Sequence, residues 1–188
     1  AVMCQVHGNA LIWAREGDVV EGINRDRRNH AFLPSVELAA GIRATSDLAE
    51  MADCDVLLLV TPAQHLRATL AAMPAHEKPI ILCCKGIEAG TQKLMSDVAA
   101  EMRPGNPLAV LSGPTFAHEV AAGKPTAITL ACADADLGQS LAKRIAAPHF
   151  RPYLSDDIVG AEIGGAVKNV LAIGCGVVDG AGLGLNAR

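Results

Sequence analysis

The sequence predicts an α/β protein built on a doubly wound parallel sheet, and three observations carry that prediction. Apolar strand-like runs alternate with helical patterns along most of its 188 residues. Aromatic residues make up only 3% of the chain, so Ala, Val, Leu and Ile must build the core, as suits helices packed on a parallel sheet. The pattern changes after Tyr153 to one long helical run, which marks a boundary near residues 153–157. Strands are expected at Ala10–Ala14, Asp55–Val60, Pro79–Cys84, Leu108–Ser112 and Thr126–Ala131, with a shorter one at Phe150–Leu154. Helices are expected at Asp18–Arg27, Ser46–Met51, Gln64–Met73, Gln92–Met102, Phe116–Ala122 and Asp136–Ala147. Strands separated by helices of this length imply right-handed crossovers and parallel pairing. Two domains follow: 1–153, the sheet domain, and 154–188, the start of a helical one.

Composition narrows the function classes. A net charge of −4 and the scarcity of aromatic side chains argue against a nucleic-acid surface. The six cysteines are scattered, with Cys83 and Cys84 adjacent in a strand and no metal-ligand spacing, so they read as reduced core thiols of a cytoplasmic protein. The six histidines show no ligand spacing either, and no metal is assigned. No signal-peptide layout opens the chain, and Lys168 with its neighbouring glycines is expected to break the longest apolar run short of a membrane span of about 20 residues.

The run from Ile158 to Val178 reads as one helix whose small residues Ala161, Gly165, Ala172 and Gly176 recur at helical spacing. Lys168 lies on it three or four residues from Gly164, Gly165 and Ala172, where another backbone or a ligand can come close. A glycine inside a helix costs about 0.5–1 kcal/mol relative to alanine, and a cation in an apolar run adds to the cost, which points to chemistry at Lys168. A lysine snorkelling from a packing seam is the plainer alternative.

In open parallel sheets, ligands sit beyond the carboxyl ends of the strands. Those ends carry Arg15-Glu16, Thr61-Pro62, Lys85-Gly86 and Ser112-Gly113-Pro114-Thr115. Lys85 would point a cation into the crevice. The Ser112–Ala117 turn, with proline placed to start a helix, would offer backbone N–H groups and a hydroxyl to a phosphate or a carbonyl. Arg15 suits the 2′-phosphate of NADP, whereas Glu16 beside it could hold the ribose hydroxyl of NAD.

The words Phe32-Leu33-Pro34, Lys85-Gly86-Ile87-Glu88, Ser112-Gly113-Pro114-Thr115-Phe116-Ala117 with Glu119, and Gly164-Gly165-Ala166-Val167-Lys168-Asn169-Val170 followed by Asp179-Gly180 and Asn186-Ala187-Arg188 resemble the bacterial-type NAD(P)-dependent glycerol-3-phosphate dehydrogenases. The resemblance implies a Rossmann-like domain, NADP or NAD as cofactor, and interconversion of dihydroxyacetone phosphate and glycerol 3-phosphate in phospholipid synthesis. It implies that Lys168 is the general acid/base, that Lys85 touches substrate and cofactor, and that Gly113, Thr115 and Asn169 contact substrate. Ala117, with Arg15, would contact cofactor. It also leaves room for a homodimer. A hydroxyacid or ketopantoate-type reductase and a non-catalytic nucleotide-binding module are the alternatives. No glycine-rich GxGxxG turn occurs near residue 1, and Ala1–Cys4 read as the end of a helix. The first strand with its phosphate loop, and most of the helical domain, are therefore expected to lie outside these residues, which alone should show weak turnover or none.

Overall fold

The computed structural model describes residues 6–187; the helix end expected at Ala1–Cys4, and Arg188, lie outside the described residues. Strand β1 (Ala10–Trp13) leads into helix α1 (Gly17–Asp26), which buries Val19 and Ile23 and returns the chain to β2 (Ile42–Thr45). β1 and β2 pair in parallel, from Ala10 opposite Ile42 to Trp13 opposite Thr45. The β2 strand was not foreseen. Its four residues contain an arginine and stand close to the expected helix at Ser46–Met51, which forms instead as a 3-10 helix over Leu48–Asp53, capped by Asp47.

The second sheet has five strands in the order β3-β4-β5-β6-β7, with β3 (Leu57–Leu59), β4 (Ile80–Leu82), β5 (Leu108–Ser112), β6 (Thr126–Ala131) and β7 (Phe150–Ser155). Helices α2 (Leu66–Ala72), α3 (Met95–Met102), α4 (Ala117–Ala121) and α5 (Ala135–Ile145) join them, and α6 (Ile158–Gly180) follows β7. The two helices expected to start at Gln64 and Gln92 begin later. Ala63–His65 is a 3-10 turn, and Gln92 has a φ of 59°, outside the helical region.

Ile80, Ile81 and Leu82 are all fully buried, as a central strand covered on both faces requires. Their alternation divides the core. Ile80 and Leu82 join Leu57, Leu59 and Val110 under α2 and α3, whereas Ile81 joins Ala109, Leu111 and Leu130 under α5. Helix α5 starts at Asp134, whose carboxylate accepts from the N–H groups of Asp136 and Leu137, and Lys143 and Arg144 stand in its last turn, where cations suit the helix dipole.

The expected all-parallel pairing holds for β3-β4, β4-β5 and β6-β7, but β5 and β6 run antiparallel. The connection between them holds only the five-residue α4, too short to carry the chain back along the sheet as the 11-residue α5 does between β6 and β7. The long helix also departs from expectation. α6 runs unbroken for 23 residues through its glycines and Lys168, and by length and composition it could cross a membrane. Its first turns lie on the sheet domain, where Ile158 and Ala161 pack against the core under α2 and α3. Among the described residues, Cys54, Cys83, Cys84, Cys132 and Cys175 are free thiols, as read from the sequence.

Candidate active site

A cleft of about 270 Å³ opens where α6 crosses the carboxyl ends of β4 and β5. Three segments meet there: Lys85 just beyond β4, Ser112-Gly113-Pro114 at the end of β5, and one face of α6 carrying Gly160, Ala161, Gly164, Gly165 and Lys168. The last five recur every one, three or four residues and so line one helical face. The small-residue stripe thus lines the cleft in its first half, whereas Ala172 and Gly176 are exposed.

Gly165 is the point of closest approach. A Cβ there would come within 2.9 Å of Ser112 Oγ and 3.6 Å of Lys85 Cγ, so only glycine lets the helix lie this close to both strand ends. At Gly160 the constraint is a cap. Asp157 accepts the Gly160 N–H at 2.7 Å and so starts the helix at its proper residue, with a carboxylate at the positive end of the dipole.

The electrostatics of the cleft are one-sided. Lys85 Nζ donates to the Gly113 carbonyl at 2.8 Å, which fixes the head of the side chain and leaves two of its three N–H donors free. Burial lowers the Lys85 pKa, and the nearby Lys168 charge lowers it further. Among the described residues no carboxylate forms an ion pair with either lysine. Cations left unbalanced in a cleft with mostly apolar walls favour an anionic ligand.

Of the residues singled out in the sequence, the structure brings Lys85, Gly113 and Lys168 together at this cleft. Thr115 stands one turn further on, its N–H donating to the Gly113 carbonyl at 3.0 Å. Asn169 and Ala117 are exposed and do not line the cleft. Arg15 stands at the carboxyl end of β1, in the other sheet, and donates to Glu16 at 3.1 Å with its side chain 78% exposed. Glu119 is held by Lys124 at 2.9 Å. Thr129, Gly160 and the buried Glu162 were not singled out. Gly160 was findable from its spacing to Gly164, but nothing local marked the other two.

Mostly parallel strands, a cleft at the carboxyl ends of β4 and β5 and a lysine-bearing helix laid across it define a domain of the Rossmann-like class. The comparisons place it within that class. Residues 1–138 match the model of the NAD-dependent glycerol-3-phosphate dehydrogenase N-terminus, and residues 157–188 match that of its C-terminus. The chain belongs to the NAD-dependent glycerol-3-phosphate dehydrogenase family. It is 59% identical over 177 residues to a glycerol-3-phosphate dehydrogenase [NAD(P)+] of Sphingopyxis alaskensis, covering 94% of this chain and 54% of that protein. It is 58% identical over 178 residues to one of Caulobacter vibrioides, covering 93% and 54%. Among solved structures, the glycerol-3-phosphate dehydrogenase of Coxiella burnetii superimposes with a TM-score of 0.86 at 32% identity, over 98% of this chain and 58% of that one. That of Plasmodium falciparum gives 0.88 at 26% identity, over 99% and 57%. The chain therefore spans about half the length of the curated relatives it matches.

Proposed function

We propose that the whole protein interconverts dihydroxyacetone phosphate and glycerol 3-phosphate with NADP or NAD, and that Lys168 is its proton donor. One observation carries this reading: two lysines without a carboxylate partner among the described residues share one cleft with small-residue walls. A small ketone bearing a phosphate supplies both things such a cleft asks for, an anion and a carbonyl on which negative charge develops.

The strand ends fit a dinucleotide. Thr61 Oγ1, at the carboxyl end of β3, is buried without a hydrogen-bond partner among the described residues. The turn after β4 closes at Gly86 with a φ of 142°, where a Cβ would collide with that of Ala63 at 2.9 Å. Arg15, Lys85 and Ala117 would hold the cofactor, which when bound supplies the hydride that reduces C2 of the ketone.

Lys168, as ammonium, donates a proton to the C2 oxygen as charge grows on it; in the oxidation of the alcohol it takes that proton back. Such a donor acts more strongly on the transition state than on the ground state, because the oxygen gains its charge only as the bond changes. Lys85, tethered by the Gly113 carbonyl, holds the anionic end of the substrate, with Gly113 and Thr115 at the same turn and Asn169 beside Lys168. The proposed division into 1–153 and 154–188 is best drawn slightly later, because β7 runs to Ser155 and α6 starts at Ile158. A cytoplasmic location and assembly as a homodimer belong to the same proposal.

The test is oxidation of NADPH and NADH by the whole protein on addition of dihydroxyacetone phosphate, with ketopantoate alongside. Turnover of the phosphorylated ketone alone is expected; preference for ketopantoate would overturn the assignment. Cofactor choice has its own test at Arg15, whose guanidinium is paired with Glu16 but largely exposed, within reach of a 2′-phosphate. Arg15→Ala is expected to raise the Kd for NADPH by about tenfold, on the scale of one charge-assisted hydrogen bond, while leaving NADH within twofold. Equal changes for the two cofactors, measured by fluorescence titration, would remove Arg15 from that role.

A further inference from the structure

Glu162 is one of three buried polar or charged residues among those described, only 6% exposed, and it has no role in the chemistry above. Its carboxylate is held by a single residue of another element. Oε1 accepts the Ser96 backbone N–H at 2.9 Å, and Oε2 accepts the Ser96 hydroxyl at 2.5 Å. Ser96 is the second residue of α3, a helix whose own N-cap position, Leu94, offers no side-chain acceptor. Glu162 thus caps a neighbouring helix from 66 residues away in sequence, satisfying a first-turn N–H and placing its charge at the positive end of the α3 dipole.

The cap costs more than a packing residue would. A carboxylate buried without a cation is expensive, and an apolar side chain of similar volume is often as stabilising or more so. What the pair of hydrogen bonds adds is direction, because it is satisfied at only one rotation and one height of α6. Glu162 precedes Gly165 by three residues, hence lies on the same face, and Gly165 is the residue pressed between Ser112 and the Lys85 stem. Lys168 follows three residues later. A slip of α6 by one residue would turn Lys168 by about 100° and shift it by about 1.5 Å. The carboxylate also adjoins the end of β4: the Cys84 thiol, pushed up to about 11 mainly by burial, is raised in part by the Glu162 charge, and Cys84 immediately precedes Lys85.

We propose that Glu162 is a positioning residue for this reaction, which by gripping Ser96 with both carboxylate oxygens fixes the rotation and height of α6 and so aims Lys168 at Lys85 across the cleft. The proposal deepens the dehydrogenase reading and rests on it. It separates register from stability, which gives a test at temperatures well below unfolding. Glu162→Leu in the whole protein fills the volume and is expected to keep the melting temperature while lowering kcat on dihydroxyacetone phosphate 10- to 100-fold, the scale of a misplacement of about 1 Å. Glu162→Gln keeps the acceptor for the Ser96 N–H and turns the second bond round, its amide donating to the hydroxyl; it is expected to hold kcat within threefold of the parent.

Should the leucine variant fail to fold, Ser96→Ala, which removes only the hydroxyl bond, is expected to cost about threefold to tenfold in kcat with the fold intact. Leucine and alanine variants that both keep kcat within twofold would overturn the proposal, as would a glutamine variant as poor as leucine. A parent without turnover on dihydroxyacetone phosphate would sink the dehydrogenase reading instead. The aim of Lys168 is then read directly, from the acetylation rates of Lys168 and Lys85 measured by peptide mass spectrometry. A ratio changed at least threefold by Glu162→Leu and not by Glu162→Gln supports the register role, and an unchanged ratio rejects it.

Discussion

Lys168→Ala in the whole protein is expected to lower kcat for reduction of dihydroxyacetone phosphate by on the order of 10³-fold, within the range of about 10²–10⁴ for a positioned general acid. KM should move much less, because Lys85, with two N–H donors free of its bond to Gly113, still offers a cation to the phosphate. The side chain is exposed in the described structure, so its removal leaves no core cavity and the melting temperature should stay within about 2 °C. Lys168→Arg keeps the charge but not the proton chemistry, since a guanidinium does not release its proton near neutral pH. It should fall nearly as far as alanine. Steady-state kinetics on the three proteins, with thermal melts alongside, decide the matter: an arginine variant as active as the parent would reduce Lys168 to a binding charge.

Gly165→Val should have the second largest effect, through geometry and not chemistry. Even the first added carbon stands 2.9 Å from Ser112 Oγ, a separation that real Cβ contacts do not show, and the branches of valine would reach toward the Lys85 stem at 3.6–3.8 Å. Ser112 belongs to β5 and is only 9% exposed, so it has little room to give. The helix must lift, and with it Lys168. Displacement by about 1 Å from productive geometry can cost about 10²-fold, and that loss is expected in kcat/KM here, with the α/β circular-dichroism spectrum unchanged. Gly164→Ala is the built-in control at the neighbouring position, because a Cβ there meets nothing within 4 Å. If Gly165→Val retains more than a third of parental kcat/KM, close approach of the helix to the strand ends is not what sets the site.

The parts of this fold legible in the sequence were those whose burial leaves a pattern. Ile80, Ile81 and Leu82 fall inside the apolar run Pro79–Cys84 because both faces of that strand are covered, and α5 falls at the helical pattern Asp136–Ala147, where the buried Leu141 and Ile145 stand at helical spacing. The parts that stayed hidden depend on partners distant along the chain. β2 gains its definition from pairing with β1, across a connection no periodicity describes. The antiparallel β6 follows from the brevity of the connection through α4. The site divides the same way. Lys85, Gly113 and Lys168 could be found because strand ends and a cation among glycines are local signals. Glu162 could not, since its significance lies in a hydrogen-bonded pair with Ser96 that only the folded chain creates.

The proposed specificity for a small phosphorylated ketone rests on two lysines that pair with no carboxylate among the described residues. Its most direct measurement is the ratio of kcat/KM for dihydroxyacetone phosphate to that for dihydroxyacetone, which lacks only the phosphate, using the whole protein and saturating NADPH. Two charge-assisted hydrogen bonds from the free N–H donors of Lys85, at about 1.5 kcal/mol or more each, predict a ratio of at least about 10², collapsing toward unity in Lys85→Ala. A parental ratio near unity would contradict the account, whatever the absolute rates.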